Sequence, residues 1–297
     1  GNLALMDSNG TNVRFLTSTY DPEDYPAWSP DGKVIAYGFE GGINLINADG
    51  TNVIRLVNNG NTPRWSPNGK KIVFSRSINL TPKIHVMNSD GTNIVQLTTG
   101  TDNDNSPNWS PDASQIAFTR GFALYLMNAD GTGLKKLADT GTFNNFPVWS
   151  PDGKKIYYFS GSDILAINPD GTGSTNITNT FGILDGYPSF TSNGQTIYYA
   201  MNTGFLVSGI FSMSSSGANQ KNLTTNSQES NRAPAISPIS TTPPPPTLTT
   251  VKLIGTGGVF GTACAGFLYS QIDSNVPSVV VFDTTTTTVA GRSLARV

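Results

Sequence analysis

The chain of 297 residues contains one cysteine and one histidine, and only 13% of its residues are charged, against roughly 25% in ordinary soluble domains. With Cys264 alone, a disulfide within the chain is impossible, and two-cysteine redox or zinc motifs are excluded. The lone thiol reads as a small buried apolar side chain, with an intermolecular bridge as the alternative. A formal net charge of −2 offers no basic field to nucleic acid and no acidic tail to a basic partner. No apolar run approaches the 18 or so residues that a membrane helix needs, so no membrane insertion is expected. Catalytic constellations are equally scarce. His85 stands between Ile84 and Val86 in a strand-like run, and no Gly-x-Ser-x-Gly elbow supplies a nucleophile for it to activate. Neither an enzyme nor a cofactor is expected.

What the chain does have is repetition. Trp28, Trp65, Trp109 and Trp149 are its only tryptophans, each inside a Trp-Ser-Pro motif, with Phe190 and Ile236 in weaker copies. Positions 28, 65, 109, 149, 190 and 236 are separated by 37, 44, 40, 41 and 46 residues, the length of a four-stranded propeller blade. A second motif keeps the same register. Turns beginning at Asn9, Asp49, Asp90, Asp130, Asp170 and Ser216 each precede by seven an aliphatic residue: Leu16, Leu56, Leu97, Leu137, Ile177 and Leu223. Asp-Gly and Asn-Gly are strong hairpin signals because both residues tolerate positive φ, while Ser-Pro-Asp-Gly suits a type I turn. Each unit therefore reads as four antiparallel strands. Such a sheet cannot bury both faces alone, so large residues at the tryptophan position are expected to wedge between neighbours in a closed ring.

Pro26-Ala27-Trp28-Ser29-Pro30-Asp31-Gly32-Lys33, and Met87-Asn88-Ser89-Asp90-Gly91-Thr92 followed by Leu97-Thr98, closely resemble the propeller repeats of the TolB family. The resemblance covers residues 1 to about 238. It implies an all-β, six-bladed propeller, in the periplasm or outside the cell, that works by binding proteins.

The ends carry further information. Residues 1–19 hold only the second half of a blade, and Ala233 to Pro238 looks like the first strand of another copy, so the two are expected to share one blade and close the ring as six. The predicted organisation is thus a propeller over 1–238, a Pro/Thr-rich linker over 239–248, and a C-terminal β-strand arm over 249–297. Within that arm, Ser278 to Ala290 bears a weak similarity to the YVTN repeats of surface-layer proteins. Some fifty residues of strand-forming sequence are too few for a core of their own. The continuous apolar run Val279, Val280, Val281 and Phe282 reads as a strand covered on both faces, so it needs a host. Donated to a second copy, it would build a head-to-tail extracellular fibre or filament, a homo-polymer of structural subunits. In the alternative, residues 249–255 supply the missing strand of the shared blade, and the chain is a monomeric binding module for a peptide, glycan or envelope protein.

Two residues before each motif proline stand Asp24, Asn61, Asn105, Asn145, Gly186 and Arg232, which rotational repetition would place around one mouth of the channel. The resemblance implies that this end holds partner peptides and ions, with Asp24 and Asn105 at positions similar to the family's acidic ones. Short polar groups of this kind also cap their own turns. Asp102 and Asp104, and the Asp21 to Asp24 run, are weak calcium candidates that lack the pattern of a calcium loop. Tyr20, Tyr25, Phe143, Phe146 and Tyr187 are placed either to stack on a ligand or to lid the channel.

Overall fold

The computed structural model describes residues 2–139, 144–179, 185–204, 207–224, 230–238 and 279–285. The linker at 239–248, the arm residues 249–278 and 286–297 with Cys264, and Phe143 lie outside the described residues. No helix occurs among the described residues. The chain opens with β1 (Asn2–Asp7) and β2 (Arg14–Phe15). The first complete blade comprises β3 (Glu23–Trp28), β4 (Val34–Phe39), β5 (Gly42–Asn47) and β6 (Ile54–Val57). The second comprises β7 (Asn61–Trp65), β8 (Lys71–Ile78), β9 (Thr81–Asn88) and β10 (Val95–Gln96). The third comprises β11 (Asp104–Trp109), β12 (Gln115–Arg120), β13 (Ala123–Asn128) and β14 (Lys135–Asp139). The fourth comprises β15 (Asn144–Trp149), β16 (Ile156–Ser160), β17 (Asp163–Ile167) and β18 (Thr175–Asn176). The fifth comprises β19 (Asp185–Phe190), β20 (Thr196–Gly204), β21 (Val207–Ser214) and β22 (Lys221–Asn222). Finally, β23 (Ser230–Ile236) and β24 (Val279–Thr285) join β1 and β2 in a composite sheet of order β2-β1-β24-β23.

Turn chemistry sets these hairpins. Ser29 Oγ donates to Asp31 Oδ1 (2.6 Å) and accepts the Val34 N–H (3.0 Å), and the same bonds recur at Ser66, Ser110, Ser150 and Thr191. In the other turn Asn47 Nδ2 donates to Thr51 Oγ1 (3.0 Å), which donates to Asp49 Oδ1 (2.6 Å), with equivalents at Thr92, Thr132 and Thr172. Hydrogen bonds from these hydroxyls hold the carboxyls of Asp31, Asp49, Asp90, Asp112, Asp130, Asp152 and Asp170 below the usual range. The repeat's acids therefore build turns.

Packing lies between sheets. Among the described residues, six apolar clusters each draw on two adjacent sheets, and each contains one tryptophan-position residue and one motif aliphatic. Trp149, for instance, meets Leu124, Leu126 and Leu137 of the preceding blade. β1 shows how one strand serves two seams. Leu3 and Leu5 pack toward the first blade with Ile35 and Tyr37, whereas Ala4 and Met6 pack toward the fifth with Tyr198 and Ile210. Period-two alternation with both faces apolar is what a strand buried on both sides requires. The turns mesh as well: Gly217 has φ +87°, and a Cβ there would lie 2.1 Å from the Ile177 carbonyl oxygen of the preceding blade.

The fold is thus an all-β propeller of four-stranded antiparallel blades. Five blades are continuous in sequence, and the expected sixth is present only as the composite sheet. The expectation that Val279 to Phe282 is donated to another copy is corrected here. β24 pairs within its own chain, with β1 from Asn2↔Thr284 to Asp7↔Val279, and with β23 at Ile236↔Val280 and Ala235↔Val281. It fills the second-strand place that the alternative reading gave to residues 249–255. The physical reason is that β1 and β23 present two open edges, and a strand on the same chain meets both without the entropic cost of a second molecule. Ending the chain at Pro238 is expected to lower the thermal midpoint by on the order of 5–10 °C and to promote association through the freed edges. Calorimetry and sedimentation velocity check this; an unchanged midpoint would remove β24 from the ring.

Candidate functional site at the channel

The strands that begin each sheet, β3, β7, β11, β15, β19 and β23, contact one another in a closed cycle and so line the central channel. Each carries a proline, and the residue before it has positive φ: Tyr25 (55°), Thr62 (51°), Ser106 (53°), Phe146 (58°), Tyr187 (56°) and Ala233 (46°). The hairpin register shifts at each of these positions, for example between Asp24 and Ala27. A β-bulge with a left-handed residue breaks the alternation and re-aims one side chain. Such a conformation costs a residue with a Cβ about 1–2 kcal/mol. Six copies of it, all on the channel wall, mark where local preference yields to the ring.

The result is an aromatic plug. Tyr25 and Phe146, from strands on opposite sides of the ring, stack at 5.5 Å between centroids, and Tyr187 meets Phe146 at 4.1 Å and Tyr25 at 6.1 Å. The small Thr62, Ser106 and Ala233 make room for them. These rings lid the channel, one of the two roles foreseen for them. Below the plug lies a cavity of about 270 Å³, bounded by the residue between proline and tryptophan position in every channel strand: Ala27, Arg64, Asn108, Val148, Ser189 and Ala235. It extends to Pro30 and Pro238 of the Ser-Pro turns. Above the plug, a groove of about 290 Å³ runs between the first two blades along Asp21, Asp24, Gly38, Glu40, Gly60 and Asn61.

Two buried acids secure the mouth. Asp104 is fully buried and takes a bidentate pair from Arg120 (Nε to Oδ1 2.6 Å, Nη2 to Oδ2 2.9 Å), with Lys83 Nζ 3.8 Å from Oδ2. Arg120 also lies over the Phe118 and Tyr125 rings, at 5.7 and 5.4 Å. Lys83 Nζ donates to the Asp102 carbonyl oxygen. Glu23, 1% exposed, accepts from the Leu3 amide (3.0 Å) and the Thr17 hydroxyl, and desolvation raises its pKa. It thereby ties the first blade to β1.

Residues 1–240 match the family model described as the TolB beta propeller domain. The chain belongs to the TolB beta-propeller family. Among solved structures, a protein assigned as TolB from Agrobacterium tumefaciens is 22% identical with a TM-score of 0.68, covering 75% of this chain and 87% of that one. TolB from Acinetobacter baumannii is 26% identical with a TM-score of 0.65, over 79% and 66%. An oligogalacturonate lyase in complex with manganese shares the fold alone, at 17% identity and a TM-score of 0.52 over 74% and 69%. No curated protein matches the chain.

In this TolB-family propeller the foreseen mouth residues are only partly brought together. Asp24 and Asn61 line the same groove, although Asn61 Oδ1 also caps the Thr62 amide (2.8 Å). Asn105 is half-buried in β11, opposite Thr119. Asn145 and Arg232 pair through their backbones with Phe159 and Asp283, and their side chains lie outside the described residues. Of the calcium candidates, Asp104 already has both oxygens engaged by the protein's own cations, and no group of three or more potential metal-binding side chains occurs among the described residues. Sequence reasoning missed Glu23 and Asp104 as the buried acids, the plug's positive-φ residues and Arg64. The repeated x-Pro at one register was the available signal for the plug.

His85 is an ordinary strand side chain. It is buried, its Nδ1 donates to the Lys83 carbonyl (3.0 Å), it packs 5.7 Å from the Phe74 ring, and desolvation lowers its pKa. As pH falls below about 6.5, the unfolded chain binds a proton that the native state resists, so this residue's contribution to stability is lost on acidification. Urea unfolding at pH 7.5 and 5.5 is expected to show a larger acid loss for wild type than for His85→Asn. Asp104→Asn strands the buried Lys83 and the half-buried Arg120 and is expected to cost about 3 kcal/mol in the same assay, far more than Asp24→Asn.

Proposed function

We propose that this chain is a non-enzymatic binding propeller of the cell envelope or exterior, in the periplasm or at the cell surface, that holds a protein partner on its mouth face. In this reading the ring is six-bladed, with β24 completing the composite blade. The carrying observation is the plug: Tyr25, Phe146 and Tyr187 turn the channel mouth into a shallow dish with an aromatic floor. In this reading its polar rim is formed by Asp24 and Asn61, which line one groove, with Asn105, Asn145 and Arg232 at the equivalent positions of other channel strands. An apolar centre within a polar rim is the anatomy of a protein interface.

Exposed apolar side chains on the same face support this. Tyr20 precedes β3, Leu80 (96% exposed) tips the β8–β9 hairpin, and Phe122 (52%) tips β12–β13. Strand alternation puts all three connections at the end where the channel strands begin. The opposite end carries Asp-Gly-Thr and Ser-Pro-Asp-Gly turns whose polar groups satisfy one another, with the smaller aliphatics Val13, Val53, Ile94 and Leu134 exposed just after them. A polymer built by arm donation loses its donor strand once β24 is used within the chain. The family resemblance, which implies a propeller that binds proteins, points the same way.

The test is affinity capture from envelope fractions with wild type, a Leu80→Asp/Phe122→Asp mouth variant, and a Lys33→Glu/Lys154→Glu control on the turn face. A protein retained by wild type and control, and at least tenfold depleted with the mouth variant, is expected. Equal retention by the mouth variant would sink the proposal.

A further inference from the structure

Below the aromatic plug, the cavity wall carries a single charged group in its ring of six equivalent positions. Arg64 stands where other blades place Ala27, Asn108, Val148, Ser189 and Ala235. Its Nη1 donates to the Pro63 carbonyl (2.8 Å) and, more weakly, to that of Tyr25 (3.4 Å). Among the described residues, neither Nε nor Nη2 has a hydrogen-bond partner, and the guanidinium takes part in no ion pair. The contrast with Arg120 is direct, because there a bidentate carboxylate occupies the fork. Burial lowers the Arg64 pKa to about 10, which leaves it charged at neutral pH. Arg64 is half-buried, and a partly desolvated cation with an open fork favours an anion that completes it.

The surroundings narrow the ligand. Proline and tryptophan walls are apolar, the Asn108 side chain makes no hydrogen bond among the described residues although its backbone pairs with Ala117, and Ser189 Oγ, which accepts the Ile236 amide (3.2 Å), retains a proton to donate. At about 270 Å³ the space falls just below the roughly 300–1,000 Å³ of common small-molecule pockets. We infer that the turn-face cavity is a carboxylate-binding site, in which Arg64 grips the carboxylate, Ser189 and Asn108 orient it, and the apolar wall receives a short organic chain. Free organic acids and the C-terminus of an extended peptide share this chemistry. The site is separated from the mouth by the plug, so it stands or falls independently of the mouth-face reading.

Calorimetric titration with sodium benzoate, with N-acetyl-Ala-Phe carrying a free C-terminus, and with the corresponding C-terminal amide tests the assignment. Expected is binding of at least one carboxylate to wild type, none of the amide, and affinity reduced at least tenfold in Arg64→Gln. Tighter binding of the peptide acid assigns the site to chain termini, and tighter binding of benzoate to free acids. Asn108→Asp keeps the arginine and sets a carboxylate at the neighbouring ring position. It is expected to abolish binding while raising the thermal midpoint, so the test survives if Arg64→Gln fails to fold. Equal affinity of wild type and both variants, or no carboxylate binding to wild type at 20-fold molar excess with about 1 mM protein, overturns the inference.

Discussion

A sheet buried on both faces has no stability without neighbours, and this constraint organises the whole molecule. Each seam takes an aliphatic from the preceding sheet and a tryptophan-position residue from the following one, so Leu137 and Trp149 belong to different repeats but one cluster. The repeat in sequence is therefore offset from the unit of packing. Apolar burial of this kind contributes roughly 25 cal/mol per Å², and it is spread around the ring rather than gathered in one core. The turns follow the same logic. Their serine, threonine and aspartate groups satisfy one another locally, which lets the chain reverse with few charges and little demand on solvent-exposed ion pairs.

Closure is where this economy is tested. The first and last seams both depend on β1, whose Leu3 and Leu5 serve one neighbour and Ala4 and Met6 the other. Polar ties reinforce the junction: Glu23 accepts from Leu3 and Thr17, and the Tyr198 hydroxyl donates to the Ser8 carbonyl (3.1 Å). Insertion of β24 between β1 and β23 then satisfies two strand edges at once. A ring closed by β1, β2, β23 and β24 in one sheet resists opening there, because opening exposes seams as well as edges.

The channel shows how the same scaffold carries different chemistry at equivalent positions. Positive φ before each proline aims the side chain at the axis whatever it is, so three aromatic residues produce a plug and three small ones accommodate it. One layer further in, five neutral side chains and Arg64 share the wall of the cavity. Function on such a ring is set by which copy departs from the average.

Blade length, strand order and hairpin positions were legible from the Trp-Ser-Pro and Asp-Gly spacings, because turn chemistry is local and six copies repeat it in register. The need of Val279 to Phe282 for a covering partner was also legible, since a continuous apolar run states what it must lose to water. Which edge it would join was not, because a strand's hydrogen-bonding groups are the same for every open edge. The channel was likewise beyond the sequence. Asp24 and Asn61 share a groove, yet the bulge sent Tyr25, Phe146 and Tyr187 to the axis, and burial turned Glu23 and Asp104 into structural ties. Local propensity fixed the strands and turns of this protein; only the closed ring decided which side chains meet across it, since Tyr25 stands more than a hundred positions from both Phe146 and Tyr187.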